Sequence, residues 1–152
     1  MHRVSRSMSQ EPGDLNGNPA APTAAGDSST LAYDELADYY DLVHAQVTSD
    51  IPLYLSLARE SGGPILELGC GSGRTLVPLA EAGFEIVGLD NSKAMLAWAR
   101  ERIRAGGLEE SIDLVEGEMI SFDLGRRFPL ITVPFNAWMH LPGRQALSLI
   151  HI

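Results

Sequence analysis

One segment constrains this chain more than any other: Glu67-Leu68-Gly69-Cys70-Gly71-Ser72-Gly73, three alternate glycines that follow directly on the apolar run Ile65 to Leu68. Glycine at every second position lets the backbone take positive φ and lets another group approach it closely. The run itself, bounded by Ser61-Gly62-Gly63-Pro64 in front and by the glycines behind, reads as a short buried strand. Arg74 to Ala82, closed by Gly83, reads as a helix, with Pro78 near enough to its start to be tolerated. A strand, a glycine turn and a helix are the opening unit of a parallel α/β sheet. The plain alternative is a tight turn with no ligand; three alternate glycines at such a junction favour a ligand.

The pattern continues downstream. Phe84 to Leu89 predicts a second strand ending at Asp90, and Asn91 or Ser92 caps a helix from about Lys93 to Ala105. Met95, Leu96, Ala99 and Ile103 line one face of that helix, and Gly106-Gly107 ends it. Ile112 to Val115 makes a third strand, Leu130 to Val133 a fourth, and Leu141 to Leu147 the start of a further helix. Upstream, Leu31, Tyr33, Leu36, Tyr39, Tyr40, Val43 and Val47 recur at helical spacing, and a second helix covers about Pro52 to Glu60 with Leu53, Leu57 and Tyr54 facing inward. The expected fold class is α/β: N-terminal helices, then a mostly parallel sheet with right-handed crossovers. Ligands of such sheets bind beyond the carboxyl ends of the strands.

Composition narrows the function classes. A net charge of -9 over 152 residues argues against an extended phosphate-binding surface, so no nucleic-acid partner is expected. The single cysteine, Cys70, forms no internal disulfide and suits a reducing compartment. No apolar run reaches the roughly 18 residues of a membrane span, and Met1 to Arg6 is followed by polar residues instead of a signal-peptide core. The expectation is a cytoplasmic protein. Residues 1–30, rich in Ser, Pro, Gly and Ala, read as a disordered tail.

A dinucleotide loop would show G-x-G-x-x-G or A, its third small residue allowing close helix packing. Here Arg74 stands at that place, which disfavours NAD, and Glu67 offers an acid to an ammonium group. Together with Gly88-Leu89-Asp90-Asn91-Ser92 and Met95, the run from Ile65 to Arg74 resembles class I S-adenosylmethionine-dependent methyltransferases of the small-molecule type. Tyr33 to Asp41 is similar to the helix that covers the cofactor in these enzymes, Gly117-Glu118-Met119 with Phe122-Asp123-Leu124 to their third-strand segment, and Val133 to Ala137 to the segment after the fourth strand. The resemblance spans about Leu31 to Gln145.

It implies a Rossmann-like, doubly wound fold with S-adenosylmethionine as cofactor and a small-molecule methyl acceptor. Gly69, Cys70, Gly71 and Gly73 would pass beneath the methionine portion and ribose, with Glu67 near the amino group. Asp90 would accept both ribose hydroxyls, with Asn91 and Met95 following it in the motif. Glu118 would meet the adenine amino group and Met119 the ring, unless Met119 is plain core. Pro134, Phe135 and Asn136 would form the floor near the sulfonium, and Tyr33 and Tyr40 read equally as core or as lid. His140 reads as structural before it reads as a base; Trp98 and Trp138 read as packing. No catalytic residue, metal site or oligomeric state is assigned.

The related fold continues beyond a fourth strand, so the sheet is expected to be incomplete, with about four strands. Leu147 to Ile152 also reads as the translation of CTGTCTCTTATACACATC, a transposon adapter of sequencing libraries. The expectation is a partial methyltransferase domain over residues 31–146 and a non-native tail over 147–152, leaving the fourth strand as an exposed edge and the chain without turnover. Two other classes stay open: an NAD(P)-dependent oxidoreductase domain, and a non-catalytic module that keeps the cofactor site.

Overall fold

A computed structural model describes residues 47–135 and 137. Outside the described residues lie the expected tail, Tyr33, Tyr40 and most of the first helix, Asn136, Trp138, His140, the helix from Leu141 and the segment 147–152. Helix α1 (Ile51–Ser61) leads into strand β1 (Ile65–Leu68); helix α2 (Leu76–Glu81), β2 (Ile86–Asp90), α3 (Lys93–Gly106), β3 (Ile112–Glu116) and β4 (Leu130–Thr132) follow.

The strands form one parallel sheet in the order β3-β2-β1-β4. The chain steps outward from β1 to β3, then returns across the sheet to place β4 on the free side of β1. Right-handed connections that run in opposite directions lie on opposite faces. Accordingly, Ala58, Leu76, Leu79, Leu96 and Ile103 from the three helices pack on one face, against Ile65, Ile86 and Ile112. On the other face Leu66, Leu68, Val87 and Leu89 are covered by Met119, Phe122, Leu124 and Phe128 from the β3–β4 connection. Both faces of β1 are therefore buried, which is why its sequence is nearly continuous in apolar residues. The reversal of direction falls between β1 and β4, so the crevice that such sheets use for ligands opens at the carboxyl end of β1.

The helix-facing side of the sheet contains an unusual row. Register pairs Leu114 with Gly88, Gly88 with Glu67, and Glu67 with Thr132. A Cβ at Gly88 would stand 2.8 Å from Leu76 Cδ1 and 3.0 Å from both Cys70 Sγ and Leu114 Cδ2, so glycine is what lets α2 and the loop side chain settle onto β2. Beside it sits a fully buried carboxylate.

Several expected boundaries and faces move. In α1 the buried positions are Ile51 and Ala58, with Tyr54 and Leu55 half-buried between them, a helical stripe. Leu53, expected to face inward, is 60% exposed, because it lies on the opposite side of that stripe. The helix expected from Arg74 begins at Leu76, and Trp98, expected as packing, is 43% exposed. Helix α3 matches its reading: Ser92 Oγ accepts the Met95 N–H as an N-cap, and Gly107 closes the helix at φ 65°.

Candidate functional site

Positive φ at Gly69 (68°), Gly71 (53°) and Gly73 (78°) turns the chain out of β1 in three left-handed steps. The turn is pinned to the end of β2: Leu89 O accepts from Gly69 N–H at 2.8 Å and Cys70 N–H at 3.1 Å, and Asp90 Oδ2 accepts from Gly71 N–H at 2.8 Å. Arg102 of α3 donates to Ser72 O and Oγ at 2.9 and 3.1 Å, fixing the far side of the loop.

The glycines have different neighbours. A Cβ at Gly69 would lie 2.6 Å from Ala137 Cβ and 3.4 Å from Met119 Cε, so this glycine admits the segment after β4. A Cβ at Gly73 would lie 3.3 Å from Ala99 Cβ, so this one allows α3 to pack closely against the loop. No atom of the described residues lies within 4 Å of a Cβ built at Gly71. Among the described residues, Gly71 is the one of the three whose backbone is left uncovered for a ligand. The close-packing role that a dinucleotide loop gives to its third small residue is here filled by Gly73, one position before Arg74.

Asp90 ends β2 beside that opening and is half-buried. Its Oδ2 takes Gly71 N–H and its Oδ1 takes Ser92 N–H at 2.9 Å. A carboxylate has about four acceptor positions, so beyond its backbone donors Asp90 keeps capacity for a further one. Burial raises the acid's affinity for its proton, opposed by hydrogen bonds from the Ser92, Gly71 and Asn91 backbone. Next to it Asn91 Nδ2 donates to Glu118 Oε1 at 3.0 Å, joining the ends of β2 and β3. The open cradle at Gly71 and the bridgeable carboxylate at Asp90 fit a ribose diol whose substituents run along the strand ends.

Glu67 is placed otherwise than an ammonium contact requires. It is fully buried, with Oε1 accepting from Thr75 Oγ1 at 2.6 Å and Oε2 from Thr132 Oγ1 at 3.4 Å. Burial pushes its carboxyl up to about 7, against the pull of the Thr75 hydroxyl and the Arg74 charge. Its role is to tie β1 to α2 and β4. Cys70 and Met95 likewise have buried side chains, at 6% and 2% exposure; Cys70 offers the site only backbone. Met119 packs on the Leu66–Leu89 face and over Gly69, Pro134 is buried, and Phe135 is 37% exposed at φ 53°.

The residues that sequence reasoning missed surround this loop. Arg74 donates two bonds of 2.7 Å to the two oxygens of Asp50 and a further one to Val47 O, and its guanidinium lies 4.2 Å over the Phe135 ring. Asp50 and Thr75 occupy N-cap positions without capping their helices; one side chain is turned to Arg74 and the other to Glu67. The available signal was an arginine directly after the third glycine, with no small residue to pack there.

A family model described as a methyltransferase domain matches residues 65–151. The chain belongs to the class I S-adenosylmethionine-dependent methyltransferase family. It is 32% identical over 121 residues to a dTDP-3-amino-3,6-dideoxy-alpha-D-glucopyranose N,N-dimethyltransferase of Streptomyces fradiae, covering 75% of this chain and 45% of that protein. Among solved structures it resembles the CcbJ methyltransferase of Streptomyces caelestis with TM-score 0.69 and 30% identity, over 77% of this chain and 49% of that one. It also resembles the glycopeptide N-methyltransferase MtfA complexed with S-adenosylmethionine, with TM-score 0.60 and 27% identity, over 67% and 47% of the two chains. The chain spans about half the length of the curated relatives it matches. Nothing in these likenesses supports a dinucleotide oxidoreductase.

Proposed function

We propose that this chain supplies the S-adenosylmethionine site of an enzyme that methylates an amine on a small-molecule or peptide-like acceptor. The observation that carries the reading is the backbone at Gly71, uncovered among the described residues, beside an Asp90 carboxylate that keeps acceptor capacity. The amine is suggested by the relatives, which are named for N-methylation of an amino sugar and of a glycopeptide.

When bound, the cofactor supplies a methyl group already activated by its sulfonium. The protein's part is then positioning and exclusion of water. Asp90 would orient the ribose through two hydrogen bonds, Gly71 would let the ligand lie against the main chain, and the Asn91–Glu118 pair would border the adenine. Pro134 and Phe135 would wall the other end, beyond β4. Glu67 contributes by keeping β1, α2 and β4 in register instead of by touching ligand.

Calorimetric titration with S-adenosylmethionine, followed by competition with NAD, tests the reading. Saturable binding that excess NAD leaves unchanged is expected. Displacement by NAD, or no heat from the folded chain, would defeat it.

A further inference from the structure

We propose that Arg74 is a positioning residue for the amino-acid end of the cofactor: it clamps the segment before α1 and the segment after β4 onto the glycine loop. The inference rests on the site reading above and goes beyond it, because Arg74 would act without touching the ligand.

Three parts of the chain meet at this guanidinium. Its side chain is 9% exposed, its two terminal nitrogens form a fork on Asp50, and one of them also donates to Val47 O. Its face is covered by Phe135, a residue held at φ 53°, where a bulky side chain is uncommon. A fork and a flat face used at once are properties of guanidinium and not of an ammonium group.

Stability alone does not account for the whole arrangement. The Arg74 hydrogen bond outweighs desolvation at the part-exposed Asp50, but the guanidinium itself is almost wholly withdrawn from water. Arg74 Nε is in addition buried with no hydrogen-bond partner among the described residues, a further cost. Placement is the property that remains: the clamp fixes where Phe135 stands relative to Gly71.

The order of the strand ends says which part of the ligand is affected. With the ribose on Asp90 at β2 and the Asn91–Glu118 pair towards β3, the amino-acid end must run the other way, towards β1 and β4, where Arg74 and Phe135 lie. Loss of the clamp should therefore weaken a ligand that has the amino-acid chain and spare one that lacks it.

The experiment titrates the full chain and its Arg74→Lys and Asp50→Asn variants with S-adenosylhomocysteine and with 5′-methylthioadenosine, which keeps the adenosine and sulfur but lacks the amino-acid chain. Both variants are expected to lose about tenfold in affinity for the first while staying within about twofold for the second. Asp50→Asn is the decisive arm. If Arg74 held the ligand carboxylate directly, freeing its charge would preserve or increase affinity, and that result would overturn the proposal. Unchanged affinities in both variants, or equal weakening of both ligands, would overturn it as well. Should Asp50→Asn melt below the titration temperature, Asp50→Glu, which keeps the charge and displaces the fork, must show the same selective loss. A parent chain that binds neither ligand would instead refute the site reading itself.

Discussion

Substituting alanine at Gly69 and at Gly71 separates the architectural from the ligand-facing role of the loop. Each residue has positive φ, 68° and 53°, and an L side chain in that region costs about 1–2 kcal/mol. At Gly71 the added methyl meets no atom of the described residues within 4 Å, so that cost should be the whole effect on stability. At Gly69 the methyl would sit 2.6 Å from Ala137 Cβ, and pushing back the segment after β4 adds an overpacking cost of about 1–3 kcal/mol. Urea denaturation should therefore rank Gly69→Ala as the less stable variant. Titration of the folded Gly71→Ala protein with S-adenosylhomocysteine should show the reverse emphasis, with affinity lowered by at least about tenfold, because its methyl fills the space assigned to ligand. Undiminished affinity in Gly71→Ala would refute the cradle. Equal stability of the two variants would refute the packing argument for Gly69.

Further expectations follow from the carboxylates around the loop. Asp90→Asn leaves a backbone N–H group, of Gly71 or Ser92, facing an amide nitrogen, so stability should fall by about 1–3 kcal/mol and ligand affinity by about tenfold to a hundredfold; a variant with parental affinity would exclude Asp90 from the ribose contact. Glu67 holds its proton more tightly in the fold than its ordinary 4.5, at about 7, so its contribution is complete below 4.5 and is lost as pH rises through 7. The difference approaches about 3 kcal/mol, and Glu67→Gln should flatten the decline of urea midpoints between pH 5 and 8; an unchanged slope would assign the decline elsewhere. Asp50 acts in the opposite sense: the Arg74 hydrogen bond lowers its value, so its contribution disappears on acidification, and Asp50→Asn should remove part of the acid sensitivity seen in melting curves below the usual carboxylate range.

What the sequence made legible was local. The strand-glycine-helix unit, the end of β2 at Asp90 and the Ser92 cap all rest on residues adjacent in the chain, where spacing and turn chemistry decide the conformation. What it did not show depends on pairings across the sheet. Glu67 has the spacing of a ligand-facing acid, but its partners Thr75 and Thr132 come from α2 and β4, so its burial appears only when those elements are assembled. Arg74 was informative as a departure from the dinucleotide pattern, yet its partner lies 24 residues upstream at a helix start where an Asp reads as an ordinary cap. The glycines looked alike in sequence and differ because Ala137 faces Gly69, Ala99 faces Gly73, and no described residue faces Gly71. Leu53 illustrates the weakest inference, a short helix with apolar residues on more than one side, where Ile51 and Ala58 and not Leu53 decide which face turns inward.

The most direct test of the central claim is a crystal structure of the chain with S-adenosylhomocysteine. The ribose hydroxyls should each lie within hydrogen-bond distance of an Asp90 oxygen, with the ligand passing over Gly71 and its amino-acid end towards Phe135. A ligand whose ribose is bound elsewhere, or a Gly71 cradle left empty at saturating concentration, would contradict the account.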